Sequence, residues 1–123
     1  MLYVEDNLSN IQLIEKVLAR LPGVELISAM QGRLALDLAR LHKPNLVLLD
    51  LHLPDLNGEI VLQRLRAEPE TKNIPVVIMS ADATHGQIEH MQASGANAYL
   101  TKPIDVKAFL KMIDEMLWVE NPK

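Results

Sequence analysis

The sequence predicts an α/β domain in which five short parallel strands alternate with five helices in a doubly wound sheet. Two observations predict it. Short apolar runs, several of them rich in Val and Ile, recur along the chain and are bounded by Gly, Pro, Asn or Asp, the pattern of strands covered on both faces. Between them lie longer segments whose apolar residues repeat three and four positions apart, the pattern of one-faced helices. Such alternation builds a parallel sheet with helices on both sides, and the common order for five strands is 2-1-3-4-5.

The elements follow in order. Leu2-Tyr3-Val4 is the first strand. The first helix carries a stripe of Ile14, Val17, Leu18 and Leu21, and Pro22-Gly23 stops it. Val24–Ala29 is the second strand; the second helix runs from about Gly32 to Leu41 and ends before Pro44. Leu46–Leu49 is the third strand, and the third helix starts near Gly58 with Ile60, Val61, Leu62 and Leu65. Val76–Met79 is the fourth strand. The fourth helix, Thr84–Ser94, has only Ile88 and Met91 as large apolar anchors. Ala98–Leu100 is the fifth strand. Asp105 is an N-cap for the last helix, whose stripe is Phe109, Leu110, Ile113, Met116 and Leu117. Met30, Met79, Met91, Met112 and Met116 are expected to fill gaps in the core or at an interface.

A chain of 123 residues with 49% apolar content suits one globular domain, placed at residues 1–118 with a tail or linker remnant at 119–123. Twelve Lys and Arg against sixteen Asp and Glu give a formal charge of −4, so direct nucleic-acid binding and anionic membranes are disfavoured. Cysteine is absent, which excludes disulfides, thiol catalysis and thiolate metal sites. No apolar run approaches the ~20 residues of a membrane span, and no signal-peptide pattern opens the chain. A cytoplasmic domain is expected.

Open sheets of this kind bind ligands beyond the carboxyl ends of their strands, where the strand order reverses. The residues there are Glu5-Asp6-Asn7, Asp50-Leu51-His52, Ser80-Ala81-Asp82 and Thr101-Lys102-Pro103. Strands one and three are neighbours in the expected order, which gathers Glu5, Asp6 and Asp50. Carboxylates this close repel and call for a counter-ion. A hard divalent cation such as Mg²⁺ meets that need with oxygen ligands. Lys102 adds a second positive charge and Ser80 a hydroxyl donor. Phosphoryl transfer needs little more than positioning and charge neutralisation, with Asp50 as the nucleophile that becomes an acyl phosphate.

Val4-Glu5-Asp6-Asn7, Leu48-Leu49-Asp50-Leu51-His52-Leu53-Pro54-Asp55-Leu56-Asn57-Gly58, Met79-Ser80-Ala81 and Tyr99-Leu100-Thr101-Lys102-Pro103 resemble the signature segments of response-regulator receiver domains. The resemblance covers nearly the whole chain with its motifs in order. It implies a flavodoxin-like fold and a phosphorelay role, with Asp50 accepting a phosphoryl group from a histidine kinase or a histidine phosphotransfer domain. It also implies Mg²⁺ held by Glu5, Asp6, Asp50 and the backbone carbonyl of His52, with Asp6 the more direct ligand of the acidic pair. Ser80 becomes the switch hydroxyl, Tyr99 the switch aromatic and Lys102 the phosphate-pairing cation. Lys102–Pro103 is expected to be cis, and Pro103 and Gly58 to be structural. Such a domain is no conventional enzyme; it catalyses only its own phosphorylation and dephosphorylation.

Some positions keep two readings. His52 lies beside the path of an attacking water or is a plain exposed loop residue. Asp82 influences phosphoryl lifetime or serves as a loop or capping carboxylate. His42, His85 and His90 lack ligand spacing and read as surface residues. The opening Glu5-Asp6-Asn7-Leu8-Ser9-Asn10 is similar to receivers of hybrid sensor histidine kinases and favours that parentage over a stand-alone regulator. Three rivals remain to be weighed. A flavin or nucleotide binder needs a Gly-rich loop after the first strand, where this chain is acidic. An aspartyl phosphohydrolase resembles a pattern with a second Asp at position 52, which here is His. A degenerate receiver acting only as an interaction module lacks a site residue; here none is missing.

Overall fold

The computed structural model describes residues 1–82 and 84–119, with their side chains except those of Trp118 and Val119. Strands and helices alternate as β1 (Leu2–Val4), α1 (Leu8–Leu18), β2 (Ile27–Ala29), α2 (Gly32–His42), β3 (Val47–Asp50), α3 (Gly58–Ala67), β4 (Val76–Ser80), α4 (His85–Ala93), β5 (Ala98–Thr101) and α5 (Val106–Val119). All pairings are parallel and the order is β2-β1-β3-β4-β5, the flavodoxin-like arrangement expected.

The two-residue period of a strand explains the two cores. Leu2, Val4, Val47, Leu49, Val76 and Ile78 face Ala35, Leu36 and Ala39 of α2, Val61, Leu62 and Leu65 of α3, and Met91 of α4. Tyr3, Leu46, Leu48, Val77 and Met79 face Ile11, Ile14, Val17 and Leu18 of α1 with Phe109 and Ile113 of α5. Truncating one such Leu or Ile to Ala costs roughly 2–5 kcal/mol. α4 contributes a single buried residue, Met91, so fewer such contacts hold it than hold the other helices.

Three expectations change. β2 begins at Ile27, because Val24 and Leu26 pack half-buried on the α1–α5 side without joining the ladder. Leu21 lies beyond α1 yet packs on the same core. Met30 and Ile60 face solvent, at 44% and 39% exposure, so Met30 fills no gap within the chain. Met79 and Met91 are buried, while Met112 and Met116 are half-buried. Of the tail set at 119–123, Val119 closes α5 and the rest lies outside the described residues.

Side chains cap three helices, at Asp105 as expected. Asn7, Asn57 and Asp105 each accept a backbone N–H from the turn they open, at 3.2, 2.8 and 2.9 Å. Gln31 at the start of α2 makes no such bond. Instead Asp55, from the loop after β3, accepts from Gly32 N at 2.7 Å and Arg33 N at 3.0 Å.

At the other end of the sheet, Arg66 of α3 gathers the backbone. Its guanidinium donates to Gly95 O (3.0 and 2.8 Å), Lys72 O (3.0 Å), Ile74 O (2.7 Å) and Asn97 Oδ1 (2.9 Å). These bonds tie α3 to the entry of β4 and to the turn between α4 and β5.

Candidate functional site

Val4 pairs with Leu49, so the residues that follow, Glu5 and Asp50, leave adjacent strands side by side. Carboxylate oxygens of Glu5, Asp6 and Asp50 lie within 4.8 Å of one another. Glu5 and Asp50 are 1% and 3% exposed, whereas Asp6 is open to solvent. Lys102 reaches over from the end of β5, its Nζ 2.8 Å from Glu5 Oε1 and 2.9 Å from Asp50 Oδ2. One ammonium among three carboxylates leaves two negative charges unbalanced.

Hydrogen bonding divides the labour among the acids. Glu5 Oε1 accepts from Tyr3 Oη (2.9 Å) and Asn10 Nδ2 (3.2 Å) as well as Lys102, and Glu5 Oε2 from Asn7 N (3.4 Å). Asp50 Oδ1 accepts from His52 N at 3.0 Å. Asp6 has no hydrogen-bonded partner among the described residues, so its carboxylate is the open one. This set fits a hard divalent cation: oxygen donors only, excess negative charge, and one exposed ligand where hydrated metal can arrive. Tyr3 and Asn10 were not anticipated as site residues. The signal for Tyr3 was its place two positions before Glu5, which puts both on one face of the strand.

Proton affinities follow from this setting. Burial raises the Asp50 carboxyl above its ordinary 3.8, and the neighbouring Glu5 carboxylate adds to that rise. Burial pushes Glu5 the same way, but the adjacent Asp50 side chain, the Lys102 ammonium and the Tyr3 hydroxyl outweigh it and hold Glu5 below its ordinary value. Lys102 loses affinity through burial and regains more from its two carboxylate partners, so its ammonium is held above the ordinary value. Burial, then the charge of Glu5, keeps the Tyr3 phenol protonated.

The remaining expected residues have these surroundings. Ser80 is buried, and its Oγ accepts from Asp82 N at 3.1 Å. Tyr99 is half-buried, and its hydroxyl donates to Asp82 O at 2.7 Å. The Asp82 carboxylate accepts from Thr84 N at 2.9 Å, the loop-capping role among the two considered. The His52 side chain is exposed. Gly58 is required by close approach: a Cβ there would lie 2.5 Å from Asp50 O and 2.7 Å from Leu51 Cα. The Lys102–Pro103 bond is cis. His42, His85 and His90 are exposed, as expected, with His90 Nε2 2.8 Å from Glu59 Oε1.

Comparison with known proteins agrees with this geometry. The family described as "Response regulator receiver domain" matches residues 1–114. The chain is 39% identical over 114 residues to the polar-differentiation response regulators DivK of Brucella anthropi and Brucella melitensis, covering 93% of this chain and 92% of each relative. Its fold is similar to a putative response regulator from Chloroflexus aurantiacus, with a TM-score of 0.86 and 28% identity, over 94% of each chain. It is also similar to the receiver domain of the sensor histidine kinase PA1611 from Pseudomonas aeruginosa (TM-score 0.84, 29% identity, 94% and 93% covered), described with a magnesium ion coordinated in its active site cleft. The curated relatives are about one receiver long, which favours the single-domain reading over the hybrid-kinase parentage suggested by the opening motif.

Proposed function

Because this chain belongs to the response-regulator receiver family, we propose that it takes a phosphoryl group from a phosphohistidine donor onto Asp50 and works as a single-domain regulator in the cytoplasm. The observation that carries this reading is the pair of bonds from Lys102 to Glu5 and Asp50 beside the open Asp6.

In the transfer, the phosphorus–nitrogen bond of the donor breaks and a phosphorus–oxygen bond to Asp50 forms. The electron pair of the broken bond stays on the imidazole, and Asp50 reacts as a carboxylate with no proton to lose. Burial opposes that ionised state, so positive charge at the site is required. Asp6, Asp50 and the His52 carbonyl, with Glu5 behind them, would hold Mg²⁺, whose chemistry there would be to offset the negative charge of the transferring group. Lys102 spends two of its three N–H donors on Glu5 and Asp50, which leaves one for a phosphoryl oxygen. Ser80 accepts from Asp82 N and keeps its own O–H to donate to another. Phosphorylation then shifts a pre-existing equilibrium of the surface formed by α4, β5 and α5.

The partners in this reading are a histidine kinase or a histidine phosphotransfer domain, and an effector protein rather than DNA. Among the described residues no helix is long and apolar enough to cross a membrane. A phosphohistidine protein carrying labelled phosphate tests the proposal. Label should pass to this chain and be released by hydroxylamine, with hydroxamate at Asp50. Label that resists hydroxylamine, or that transfers equally to Asp50→Asn, contradicts it.

A further inference from the structure

We infer that Asp55 is a positioning residue of the phosphoacceptor site, fixing the loop that presents His52 to Asp50 and to the metal; this rests on the function proposed above. The loop from Leu51 to Asn57 leaves β3 directly after Asp50. Its base is closed by Gly58 N donating to Leu51 O at 2.9 Å, where a side chain on Gly58 has no room. Its first turn holds His52 N on Asp50 Oδ1 at 3.0 Å. At its far side, Asp55 accepts from Gly32 N at 2.7 Å and Arg33 N at 3.0 Å, spanning 23 and 22 residues of sequence.

This contact is built from both sides. α2 has no capping side chain of its own and no acidic residue in its first turn, so its N–H groups are left for a partner. Residue 32 must be glycine for the approach: a Cβ would lie 2.9 Å from Val61 Cγ2 and 3.0 Å from Leu56 Cβ. The tie also connects back to the acidic pair. Glu5 N donates to Ala29 O at 2.9 Å, at the end of the strand that leads into α2. The ends of β1, β2 and β3 thus form one polar frame: Glu5 to Ala29, Gly32 and Arg33 to Asp55, and His52 to Asp50. Leu53 and Leu56 pack on the core but, being apolar, do not fix the direction of the peptide groups between them.

The test compares the unaltered chain with Asp55→Ala, Asp55→Asn and Gly32→Ala. Two quantities are read: hydrogen exchange of the His52 amide in EDTA, and Mg²⁺ affinity by calorimetry. In Asp55→Ala, His52 exchange should quicken and Mg²⁺ affinity should fall about tenfold, as for loss of a residue that orients a ligand. Asp55→Asn keeps one acceptor oxygen and should fall between. Gly32→Ala separates the two elements and should match Asp55→Ala. A lower melting temperature with His52 exchange and Mg²⁺ affinity unmoved in all three variants makes Asp55 a helix cap only and overturns the inference. Failure of the unaltered chain to bind Mg²⁺ is a separate result; it removes the function proposed above and this inference with it.

Discussion

The hydroxyl of Tyr99 donates to the backbone carbonyl of Asp82 at 2.7 Å, across the gap between β5 and the loop that enters α4. Ser80 holds the N–H of the same residue at 3.1 Å. The Asp82 backbone is therefore gripped from two strands, and a phosphoryl group drawing on the Ser80 hydroxyl, as proposed above, would perturb one of those grips. α4, with Met91 as its single buried anchor, is the helix least able to resist. Amide shifts on adding a fluoroberyllate mimic should extend from Ser80 through α4 to Tyr99 and the start of α5. Ser80→Ala should shrink them, and Tyr99→Phe should cut them short of β5. Shifts confined to the loops around Asp50 contradict this coupling.

Asp6 and Glu5 should respond differently to loss of charge. Asp6 is exposed and has no partner among the described residues, whereas Glu5 Oε1 is held by Tyr3, Asn10 and Lys102. Asp6→Asn should weaken Mg²⁺ by tenfold or more, the order seen when a ligand or its orienting partner is lost. Tyr3→Phe should weaken it less, by loosening Glu5. Calorimetry decides; unchanged affinity in Asp6→Asn contradicts the assignment.

Metal-free stability carries a pH signature. The folded pKa of Asp50 is raised above 3.8, so the ionised carboxylate is less at ease folded than unfolded. That destabilisation is full at neutral pH and fades as pH falls through the folded pKa towards 3.8 and below. Asp50→Asn in EDTA should therefore melt above the unaltered chain at pH 7, and the gap should close as pH is lowered. A gap that widens on acidification has the wrong sign.

Arg66 predicts a purely structural effect. Its guanidinium makes five hydrogen bonds, four of them to carbonyls of the backbone. Arg66→Ala should cost roughly 2–3 kcal/mol, as removal of charge-assisted bonds does. Arg66→Lys should recover little, since a lysine lacks the planar fork. Urea melts check both, and Mg²⁺ affinity should stay unchanged.

Much of this was legible in the sequence because it depends on period and order alone. The strand runs set the sheet, and the topological rule led directly to Glu5, Asp6, Asp50, Ser80 and Lys102. What escaped depends on pairings across distance. Asp55 reads as an ordinary turn residue until α2 is seen beside it, and Arg66 as an ordinary surface charge on the last turn of a helix. Val24 and Leu26 show the opposite error: half-buried apolar residues mimic a strand without sharing its ladder. Tyr3 reads as one residue of the first strand, and its hydroxyl gains meaning only from the carboxylate it meets.

The most direct test of the central claim is intact mass after incubation with acetyl phosphate and Mg²⁺. The unaltered chain should gain one phosphoryl group, with none in EDTA and none on Asp50→Asn under either condition. A phosphoryl group on Asp50→Asn, or one that forms as readily in EDTA, would contradict it.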